Sequence, residues 1–467
     1  AKKYFKEAGI ETVIKGISST NDIQDTAKSL MSQTEVIFIP TDNTIVSAIN
    51  TLVDLSKETK VPVVGSDAGS VEKGVLFTYG TNYEALGRQT GKLAGRVLRG
   101  EKVKDIDAEY PKTLNVVVNH DMAKELGIDV SRISDEESKV STKDDKPIAK
   151  KDKGVIKLKV NKSSKNGFSN VVLTSISQGL LWAIMAIGVF ITFRILDLAD
   201  LTAEGTFPLG AATTTIMIIR GINPIFATLG GFVAGMFAGA VSGFMHTKMK
   251  IPALLTGIIT LTGLYSVNLL VLGSANISLS GHNTLVTMVM GLGLSKLSGV
   301  ILLGLIFVSL VVFMLVVLLN TQVGLALRAT GDNLAMGEAN GIKVDRMKIL
   351  GYMISNGLIA LSGALLAQNN GYADMNMGTG TIVNGLAAII LAEVIVKYLP
   401  LGKRLWSIVV GAVLYRLVLV MILAMNVDAQ MLKLASAILL AIILYVPEVR
   451  QKLKINPNKS LTPGGDK

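Results

Sequence analysis

Two short polar segments are the first part of this 467-residue sequence that could do chemistry. Each follows an apolar run with the composition of a buried strand. Their polar residues are Thr41, Asp42, Asn43, Ser66 and Asp67. Such hydroxyl, amide and carboxylate groups can bind a small polar molecule through charge-assisted hydrogen bonds. The same residue types also cap helices and close turns, so both interpretations stay open.

The elements that would position these residues alternate along residues 1–130. The sequence predicts the end of a helix at 1–9 and strands at 10–17, 35–39, 61–65, 75–79 and 113–118, with helices at 22–32, 43–58 and 82–99 between them. This alternation predicts an α/β domain with a mostly parallel sheet. Ligands of such sheets bind at the carboxyl ends of the strands. Both polar segments fall there, and so does Tyr79.

Several kinds of site are excluded by residue type. The chain has no cysteine, which excludes disulfides, thiolate metal sites and cysteine nucleophiles. Its three histidines, His120, His246 and His282, lack the spacing of metal ligands, so we expect no metal site. No segment reads Gly-x-x-x-x-Gly-Lys-Ser/Thr, so the chain itself is not expected to bind ATP through a phosphate loop. We therefore predict no catalytic residues and no cofactor in this chain.

Charge divides the chain into two parts. Residues 171–467 hold only 30 of the 81 charged residues, while 50% of the whole chain is hydrophobic. This distribution predicts a soluble part followed by a membrane part. The basic residues of the second part form short clusters between apolar runs, which is typical of membrane loops and not of a nucleic-acid groove.

The domain boundaries follow from this division. We predict a partial solute-binding α/β domain at 1–130, a charged flexible linker at 131–170, a membrane domain at 171–450 and a cytoplasmic tail at 451–467. The linker is rich in charge and poor in aromatic residues, so it can bury little surface. A basic patch that touches anionic lipid is the alternative interpretation of its lysines.

The membrane part is predicted to be an all-α polytopic domain of about eight to ten helices, because a bilayer core needs about 20 apolar helical residues. Glu204, Gly205 and Pro208 interrupt the start of the second span, so we expect a broken or re-entrant helix there. The nine candidate spans are Val171–Phe193, Thr206–Ile219, Pro224–Met245, Ile251–Leu272, Leu297–Leu319, Leu350–Gln368, Ile382–Val396, Leu405–Ala424 and Met431–Val446.

Loop charge predicts the orientation. Most Lys and Arg residues near the ends of the spans lie on the side that holds the C-terminus, and cytoplasmic loops carry such an excess. We therefore expect a cytoplasmic C-terminus and an extracellular N-terminal domain in the cell membrane. The Lys-rich linker would then also be external, although the excess of Lys and Arg is expected on the cytoplasmic side.

Three features inside the spans are candidates for function: a ridge of glycines, Glu393 and Arg416. Gly231, Gly235, Gly239 and Gly243 repeat every four residues and form a smooth ridge, which favours close helix packing over a solute path. Glu393 and Arg416 are ionisable groups in apolar spans, where such groups are costly and often functional. Glu393 lies near the predicted inner end, so snorkelling or a structural hydrogen bond is as good an interpretation.

Residues 320–348 form the longest polar stretch of the membrane part. Their pattern predicts a cytoplasmic helix-turn-helix. By pattern alone, a plain loop and a surface for a partner are equally good interpretations.

Residues 1–130 carry a resemblance to a known family. The segments VIFIPTDNTIVSAI and VPVVGSDAGSVEKGVLFTYGTNYEALGRQTGKLAGRVLRGE resemble substrate-binding lipoproteins of ATP-binding-cassette (ABC) importers, in the group of tryptophan- and aromatic-amino-acid-binding proteins. Those proteins close two α/β lobes on a ligand. The match covers most of the second lobe, so the first lobe and its contacts are expected to be missing.

Residues 171–447 carry a second resemblance. The segments ISQGLLWAIMAIGVFITFRILDLADLTAEGTFPLGAA and GLALRATGDNLAMGEANGIKVDRMKILGYMISNGLIALSGALLA resemble permeases of the branched-chain amino-acid and ribose importer group. In that family the second segment contains the coupling loop that seats on the ATPase. Carried onto this chain, the coupling loop comprises Arg328, Gly331, Asp332, Asn333, Glu338 and Gly341. The family block LDLADLTAEGTFPLGA corresponds to the second span, facing the translocation path.

The two resemblances together imply a permease subunit of an ABC importer with a fused partial binding module. The implied partners are an ABC ATPase that uses ATP and Mg²⁺, a second permease copy in a homodimer, and a complete substrate-binding protein. The solute would be an amino acid, aromatic or branched-chain, bound by Thr41, Asp42, Asn43, Ser66, Asp67 and Tyr79. The alternatives are a solute-sensing receptor, a sugar or nucleoside importer and an ion-coupled transporter. The absence of a paired-acid relay weakens the last of these.

Overall fold

The computed structural model of the chain divides into two compact units, Ala1–Lys165 and Asn166–Lys467. The described residues are 2–7, 9–17, 23–107, 109–111, 113–130, 137–139, 167–279, 281–395, 400–424, 434, 436–442 and 445. The predicted tail at 451–467 lies outside them. Each unit has its own fold and is described separately.

The N-terminal unit contains a five-stranded sheet in the order β1-β2-β3-β4-β5. The first three strands are parallel, with Ile37 opposite Val63 and Gly65 opposite Thr78. The last two pairings are antiparallel. The expectation of a mostly parallel sheet is therefore correct only for its first half. Residues 10–17, where a strand was also expected, form none. The strands are β1 (Ile37–Ile39), β2 (Val63–Gly65), β3 (Phe77–Thr81), β4 (Thr113–Val118) and β5 (Glu137–Lys139).

Several helices of this unit bury apolar residues in its core, whereas the helix Tyr83–Leu98 buries none. Ile49, Leu52 and Leu55 of one such helix are almost fully buried. The helix predicted at 43–58 is two helices, because the backbone at Ala48 leaves the helical conformation. The α-helices that the structure describes in this unit are α1 (Lys2–Glu7), α2 (Ile23–Met31), α3 (Asn43–Ser47), α4 (Ile49–Thr59), α5 (Ala68–Glu72), α6 (Tyr83–Leu98) and α7 (His120–Leu126).

The segment 131–170 is described only in part. Glu137–Lys139 form the edge strand β5, which pairs with β4, so these three residues are ordered where a flexible linker was expected. Residues 167–170 already belong to the first helix of the second unit. The remainder lies outside the described residues, and its flexibility stays a prediction.

The second unit is a bundle of helices. Within the described residues, seven helices are long and apolar enough to cross a membrane. The chain is therefore a multi-pass membrane protein. The helices are α8 (Gly167–Phe190), α9 (Ala203–Ile219), α10 (Pro224–Thr247), α11 (Ala253–Leu272), α12 (Leu285–Met290), α13 (Lys296–Asn320), α14 (Gln322–Asp332), α15 (Leu334–Ala339), α16 (Val344–Asn370), α17 (Thr381–Ile395) and α18 (Leu401–Ala424).

Eight of the nine predicted spans coincide with α8, α9, α10, α11, α13, α16, α17 and α18. Of these, α9 and α17 are the short ones, with 17 and 15 residues. The ninth, Met431–Val446, is described only in part. Its described residues 436–442 are helical, and Leu439 and Leu440 pack on Tyr415 and Leu419.

The predicted break in the second span lies ahead of that span. Helix α9 is continuous, with Pro208 inside its first two turns. Pro208 is the sixth residue of α9, beyond the first four N–H groups that have no partner within a helix. It therefore removes one helical hydrogen bond, to the carbonyl of Glu204, and the helix continues through it. The interruption lies between α8 and α9, in a π-helical turn at Ile191–Ile195 followed by a non-helical segment.

Two helices form the centre of the bundle. Helix α9 is buried over most of its surface, and α16 is buried from Ser355 to Asn370. Their neighbours α10, α11 and α13 expose many large apolar side chains, which a bilayer would cover. At one end of the bundle, β6 (Asn276–Ser278) and β7 (Tyr372–Asp374) pair antiparallel and join the chain after α11 to the chain after α16.

Candidate functional site

In the N-terminal unit, the sheet brings together the carboxyl ends of β1, β2 and β3. The hydroxyl oxygens of Thr41 and Ser66 lie 2.8 Å apart and share a hydrogen bond, although 25 positions separate them in sequence. Gly80 of β3 approaches them, because a Cβ added there would lie 3.1 Å from the carbonyl carbon of Ser66. The two polar segments therefore form one edge, as their places after parallel strands predicted.

Both aspartates at this edge act as helix caps. The Oδ1 atom of Asp42 accepts hydrogen bonds from the backbone N–H groups of Thr44 and Ile45, at 2.9 and 3.2 Å. Asp67 accepts from the backbone N–H of Ser70 at 2.9 Å and from its hydroxyl at 2.6 Å. Asp67 thus uses both carboxylate oxygens within the capping turn, whereas the bonds of Asp42 fall on one oxygen.

The remaining two predicted residues are Tyr79 and Asn43. Tyr79 is 53% exposed and lies in the middle of β3, opposite Val116, so it is not at a strand end. Asn43 is the first residue of α3, and its side chain lies outside what the structure describes. The edge therefore presents two hydroxyl groups and one partly available carboxylate. Tyr79 directly precedes Gly80, which approaches Ser66 at this edge.

In the membrane unit, the predicted coupling loop is a pair of short helices, α14 and α15, between α13 and α16. Asn333 ends the first and caps the second by accepting from the backbone N–H of Met336 at 3.0 Å. Asp332 and Glu338 are exposed, as are the apolar side chains of Leu334 and Met336. The stretch 320–348 is thus a helix-turn-helix, as its pattern predicted, with an accessible tip.

The glycines of the loop have backbone roles. A Cβ at Gly331 would lie 2.7 Å from the carbonyl carbon of Ile195 and 3.0 Å from the Cα of Leu196. Gly331 therefore lets α14 contact the end of the π-helical turn that follows α8. Gly341 has a φ of +78°, which glycine adopts without strain, and it turns the chain into α16. Arg328 is half-buried, and its Nε has no hydrogen-bond partner within the described residues.

The four glycines of α10 face α16. A Cβ at Gly235 would lie 2.5 Å from the carbonyl oxygen of Asn356, and one at Gly243 would lie 2.9 Å from the Cα of Ile349. Gly231 contacts the neighbouring α9, where an added Cβ would lie 2.9 Å from the carbonyl oxygen of Gly210. Helix packing inside one chain therefore accounts for this ridge.

A buried polar network, which the sequence reasoning missed, connects α9 to its neighbours. Asp200 accepts from the amide of Asn356 at 2.8 Å, and Asn356 accepts from the hydroxyl of Thr206 at 2.7 Å. Hydroxyl contacts of 2.9 Å continue the network from Thr202 through Ser242 to Thr260. Buried polar groups need such partners. The available signal was an aspartate and an asparagine in otherwise apolar segments.

Glu393 joins three helical segments. One carboxylate oxygen lies 2.5 Å from a guanidinium nitrogen of Arg194, in the π-helical turn after α8. The other lies 2.9 Å from a guanidinium nitrogen of Arg404, in α18. The Arg404 guanidinium also lies 5.0 Å from the ring centroid of Phe190. Glu393 therefore has a structural role, which is one of the two interpretations that the sequence left open; the other was a role in transport.

Arg416 lies in a different part of the bundle, between α8, α17 and α18. It is 8% exposed, and its Nε donates to the side-chain oxygen of Gln178 at 2.8 Å. A second donation from its terminal nitrogen reaches the same oxygen. The guanidinium lines a narrow cavity together with Trp182, Asn384 and Tyr415.

Two family models match the chain. Residues 1–141 match the model of the ABC transporter substrate binding protein, and residues 171–447 match the model of the permease component of the branched-chain amino acid transport system. These ranges correspond to the two units of the structure.

Individual relatives match the same two parts. The chain is 37% identical to a tyrosine transport system permease protein of Clostridioides difficile over 292 residues, which are 62% of this chain and 96% of that protein. It is 35% identical to a tyrosine-binding protein of the same organism over 136 residues, which are 29% of this chain and 39% of that protein.

A solved structure matches the N-terminal part. It is an ABC domain in complex with L-Trp from Streptococcus pneumonia, 34% identical, which covers 28% of this chain and 44% of that chain with a TM-score of 0.26. The chain spans less than half the length of the binding proteins that it matches. It spans nearly the whole length of the permease from Clostridioides difficile. Because the permease model covers residues 171–447, more than half of the chain, the protein belongs to the family of permease components of the branched-chain amino acid transport system.

Proposed function

We propose that this chain is the permease through which an ABC importer takes up an amino acid with an aromatic side chain, tyrosine first among them. One observation carries the proposal. The membrane part and the N-terminal part match two different proteins of one organism, and both of those proteins are named for tyrosine. Two independent matches to one solute are stronger support than either match separately.

The polar edge of the N-terminal unit supplies part of the solute contacts in this proposal. Asp42 is better suited than Asp67 to pair with the ammonium group, because its capping bonds fall on one carboxylate oxygen. Both carboxylate oxygens of Asp67 already accept hydrogen bonds from Ser70. The hydroxyls of Thr41 and Ser66 and the exposed ring of Tyr79 complete the edge, and a complete substrate-binding protein is the proposed partner that delivers the solute.

Transport requires a partner ATPase, which we propose docks on α14 and α15. Gly331 supports this role, because it allows direct contact between the loop and the end of the first span at Ile195. A displacement of the loop would therefore be transmitted to the segment between α8 and α9. The exposed side chains of Asp332, Leu334 and Glu338 form the proposed docking surface. Two copies of the chain, in a homodimer, would serve the two ATPase subunits.

The docking surface fixes the proposed orientation. If α14 and α15 are cytoplasmic, the basic residues around α16 and α18 are cytoplasmic as well, as expected for inner loops. The N-terminal unit is then extracellular, where a solute-binding module can meet its ligand. The chain itself needs no ATP, Mg²⁺ or other cofactor in this scheme, because the energy comes from the partner and shifts the equilibrium between two packing states.

Uptake measurements test the solute. Cells that express the complete importer should accumulate labelled tyrosine, and unlabelled tryptophan or phenylalanine should compete. Ribose and nucleosides should not compete. If a sugar or a nucleoside is taken up and amino acids are not, the amino-acid assignment is wrong and only the transporter class remains.

A second experiment tests the coupling loop. Arg328→Glu, or deletion of 332–338, should abolish uptake and recruitment of the ATPase while the chain still inserts into the membrane. Arg220→Glu is the control, because it makes the same charge reversal at an arginine at the opposite end of the bundle, although Arg220 is exposed and Arg328 is half-buried. Normal uptake and normal ATPase recruitment in both loop variants would refute the proposed docking surface.

A further inference from the structure

The cavity beside Arg416 combines one cation with aromatic walls inside the membrane unit. Among the described residues, no Lys or Arg other than Arg416 is buried. A guanidinium within a membrane span is costly, and such groups are retained mostly where they serve a solute path or another function. Helix packing by itself gives no reason for a cation at this position, which Leu or Met would fill.

The geometry fixes the guanidinium in orientation. Two of its nitrogens donate to one oxygen, the side-chain oxygen of Gln178. Gln178 is itself 3% exposed and belongs to α8, so the guanidinium is held between two buried helices. The guanidinium is planar, and its fork of N–H donors matches a carboxylate in a bidentate pair. A fixed guanidinium at the wall of a cavity is therefore suited to recognising a carboxylate.

The other walls suit an aromatic ring. The side chains of Trp182 and Met185 line the cavity on α8, and Tyr415 lines it on α18. Trp182 stacks on Phe207 of α9, with ring centroids 5.3 Å apart and planes inclined by 20°. The hydroxyl of Tyr415 donates to the amide oxygen of Asn384 at 3.2 Å, which holds its ring in place. Stacked and edge-to-face contacts on such rings favour a planar apolar group.

The position of the cavity along the membrane fits a solute that arrives from outside. Arg416 lies 15 residues after Leu401, the first residue of α18. At a rise of 1.5 Å per residue this is ~22 Å along a span that crosses a hydrocarbon core of ~30 Å. Under the proposed orientation Leu401 is at the cytoplasmic end, so the cavity lies in the outer half.

We propose that this cavity is a recognition site for the amino-acid solute within the permease, in which Arg416 pairs with the solute carboxylate and Trp182 and Tyr415 flank its aromatic ring. The inference rests on the proposed import of an aromatic amino acid and adds a second site to the one in the N-terminal unit. In the present state the cavity has room for about one water molecule. The solute therefore enters when α8 and α18 move apart, in an outward-open state.

The chain offers a reporter for the test. It has two tryptophans, Trp182 in the cavity and Trp406 elsewhere in α18, and the N-terminal unit has none. In a Trp406→Phe background, the tryptophan emission of the full chain in lipid nanodiscs comes from the cavity wall. L-Tyrosine should change this emission in a saturable manner. Tyramine, which has the same ring and ammonium group but no carboxylate, should bind at least tenfold more weakly.

Variants of Arg416 sharpen the test. Arg416→Gln should abolish the response to tyrosine, and Arg416→Lys should weaken it at least tenfold, because a lysine ammonium keeps the charge but loses the bidentate fork. Insertion and thermal stability of each variant are measured in parallel. The comparison of tyrosine with tyramine needs no change at Arg416, so it decides the proposal even if the Arg416 variants fold poorly.

The outcomes separate the two proposals. Equal responses to tyrosine and tyramine, an unchanged affinity in Arg416→Gln, or no response to tyrosine up to its solubility limit would each overturn the cavity site. If cells still accumulate tyrosine in any of these cases, the proposed function stands and only the site is wrong. If cells take up no amino acid, the proposed function itself fails.

Discussion

Gly239 in the α10 ridge provides the most direct test of how the membrane unit is held together. A Cβ at this position would lie 2.7 Å from the carbonyl carbon of Tyr352 in α16, and closer still to its carbonyl oxygen. Carbon atoms in contact are normally ~3.5–4.0 Å apart, so the Gly239→Ala methyl group overlaps the backbone by about 1 Å. A backbone carbonyl within a helix cannot rotate away, so the two helices must separate.

The magnitude follows from that separation. A gap of about 1 Å removes up to half of the dispersion energy of each pair of atoms along the contact. Overpacking of this kind costs about 1–3 kcal/mol. Replacing glycine by alanine within a helix gives back about 0.5–1 kcal/mol. Gly239→Ala should therefore destabilise the chain by about 0–2.5 kcal/mol, with a central value of about 1 kcal/mol.

Gly263→Ala is the matched control. Gly263 lies on an exposed face of α11, and an added Cβ there meets no atom within 4 Å. The gain in helix propensity is the same in both variants and cancels when they are compared. The difference between them is therefore the clash with α16, about 1–3 kcal/mol in free energy of unfolding.

The assay is thermal unfolding of each purified full chain in one detergent, followed by size-exclusion chromatography after heating. Because membrane proteins unfold irreversibly, apparent midpoints are compared at one heating rate. We expect Gly239→Ala to unfold several degrees below the wild type and Gly263→Ala at or above it. If both variants have the same midpoint, α10 and α16 are not packed backbone to backbone, and the reasoning is refuted.

Three further predictions concern other parts of the chain. Asp67→Ala removes the cap of α5 and should cost about 1 kcal/mol locally, seen as about fivefold faster amide hydrogen exchange in 68–76, with unchanged exchange in α6. Glu393→Gln should lower the thermal midpoint only slightly, since pairs this exposed contribute less than about 1 kcal/mol. Its midpoint should respond to salt less than that of the wild type, because other ion pairs such as Lys248–Asp345 remain, and an equal salt response would contradict the ion pair. A single cysteine at position 160 should be labelled by an impermeant thiol reagent in intact cells and one at 455 should not, and the reverse pattern would overturn the proposed orientation.

Local pattern was sufficient to predict much of the architecture. Apolar runs of about 20 residues predicted the helices of the membrane unit, because a bilayer imposes this length on every span. Alternation of strands and helices predicted the α/β unit, and placement after parallel strands predicted that Thr41 and Ser66 would meet. These features depend on composition and on spacing along the chain, which the sequence displays directly.

Two of the wrong predictions concern the direction of the later strands of the sheet and the position of the break in the second span. Both features depend on contacts between residues that are distant in sequence. The antiparallel half of the sheet begins with the pairing of β4 with β3. Their paired residues lie between 33 positions (Thr81 and Leu114) and 41 positions (Phe77 and Val118) apart in sequence. The helical path is broken before α9 begins and not inside α9. At this break the turn that ends at Ile195 packs against Gly331. Neither partner is visible in the local pattern.

The sequence by itself determined that residues 171–450 cross a membrane several times, that an α/β unit precedes them, and that glycines every four residues form a smooth face on α10. It could not determine what that face contacts or which polar side chains meet inside the bundle. Asp200 meets Asn356 across 156 positions, and Arg416 meets Gln178 across 238. Hydropathy records only how apolar a segment is. The partners of a buried polar group are decided by which helices pack together, and only the tertiary structure contains that information.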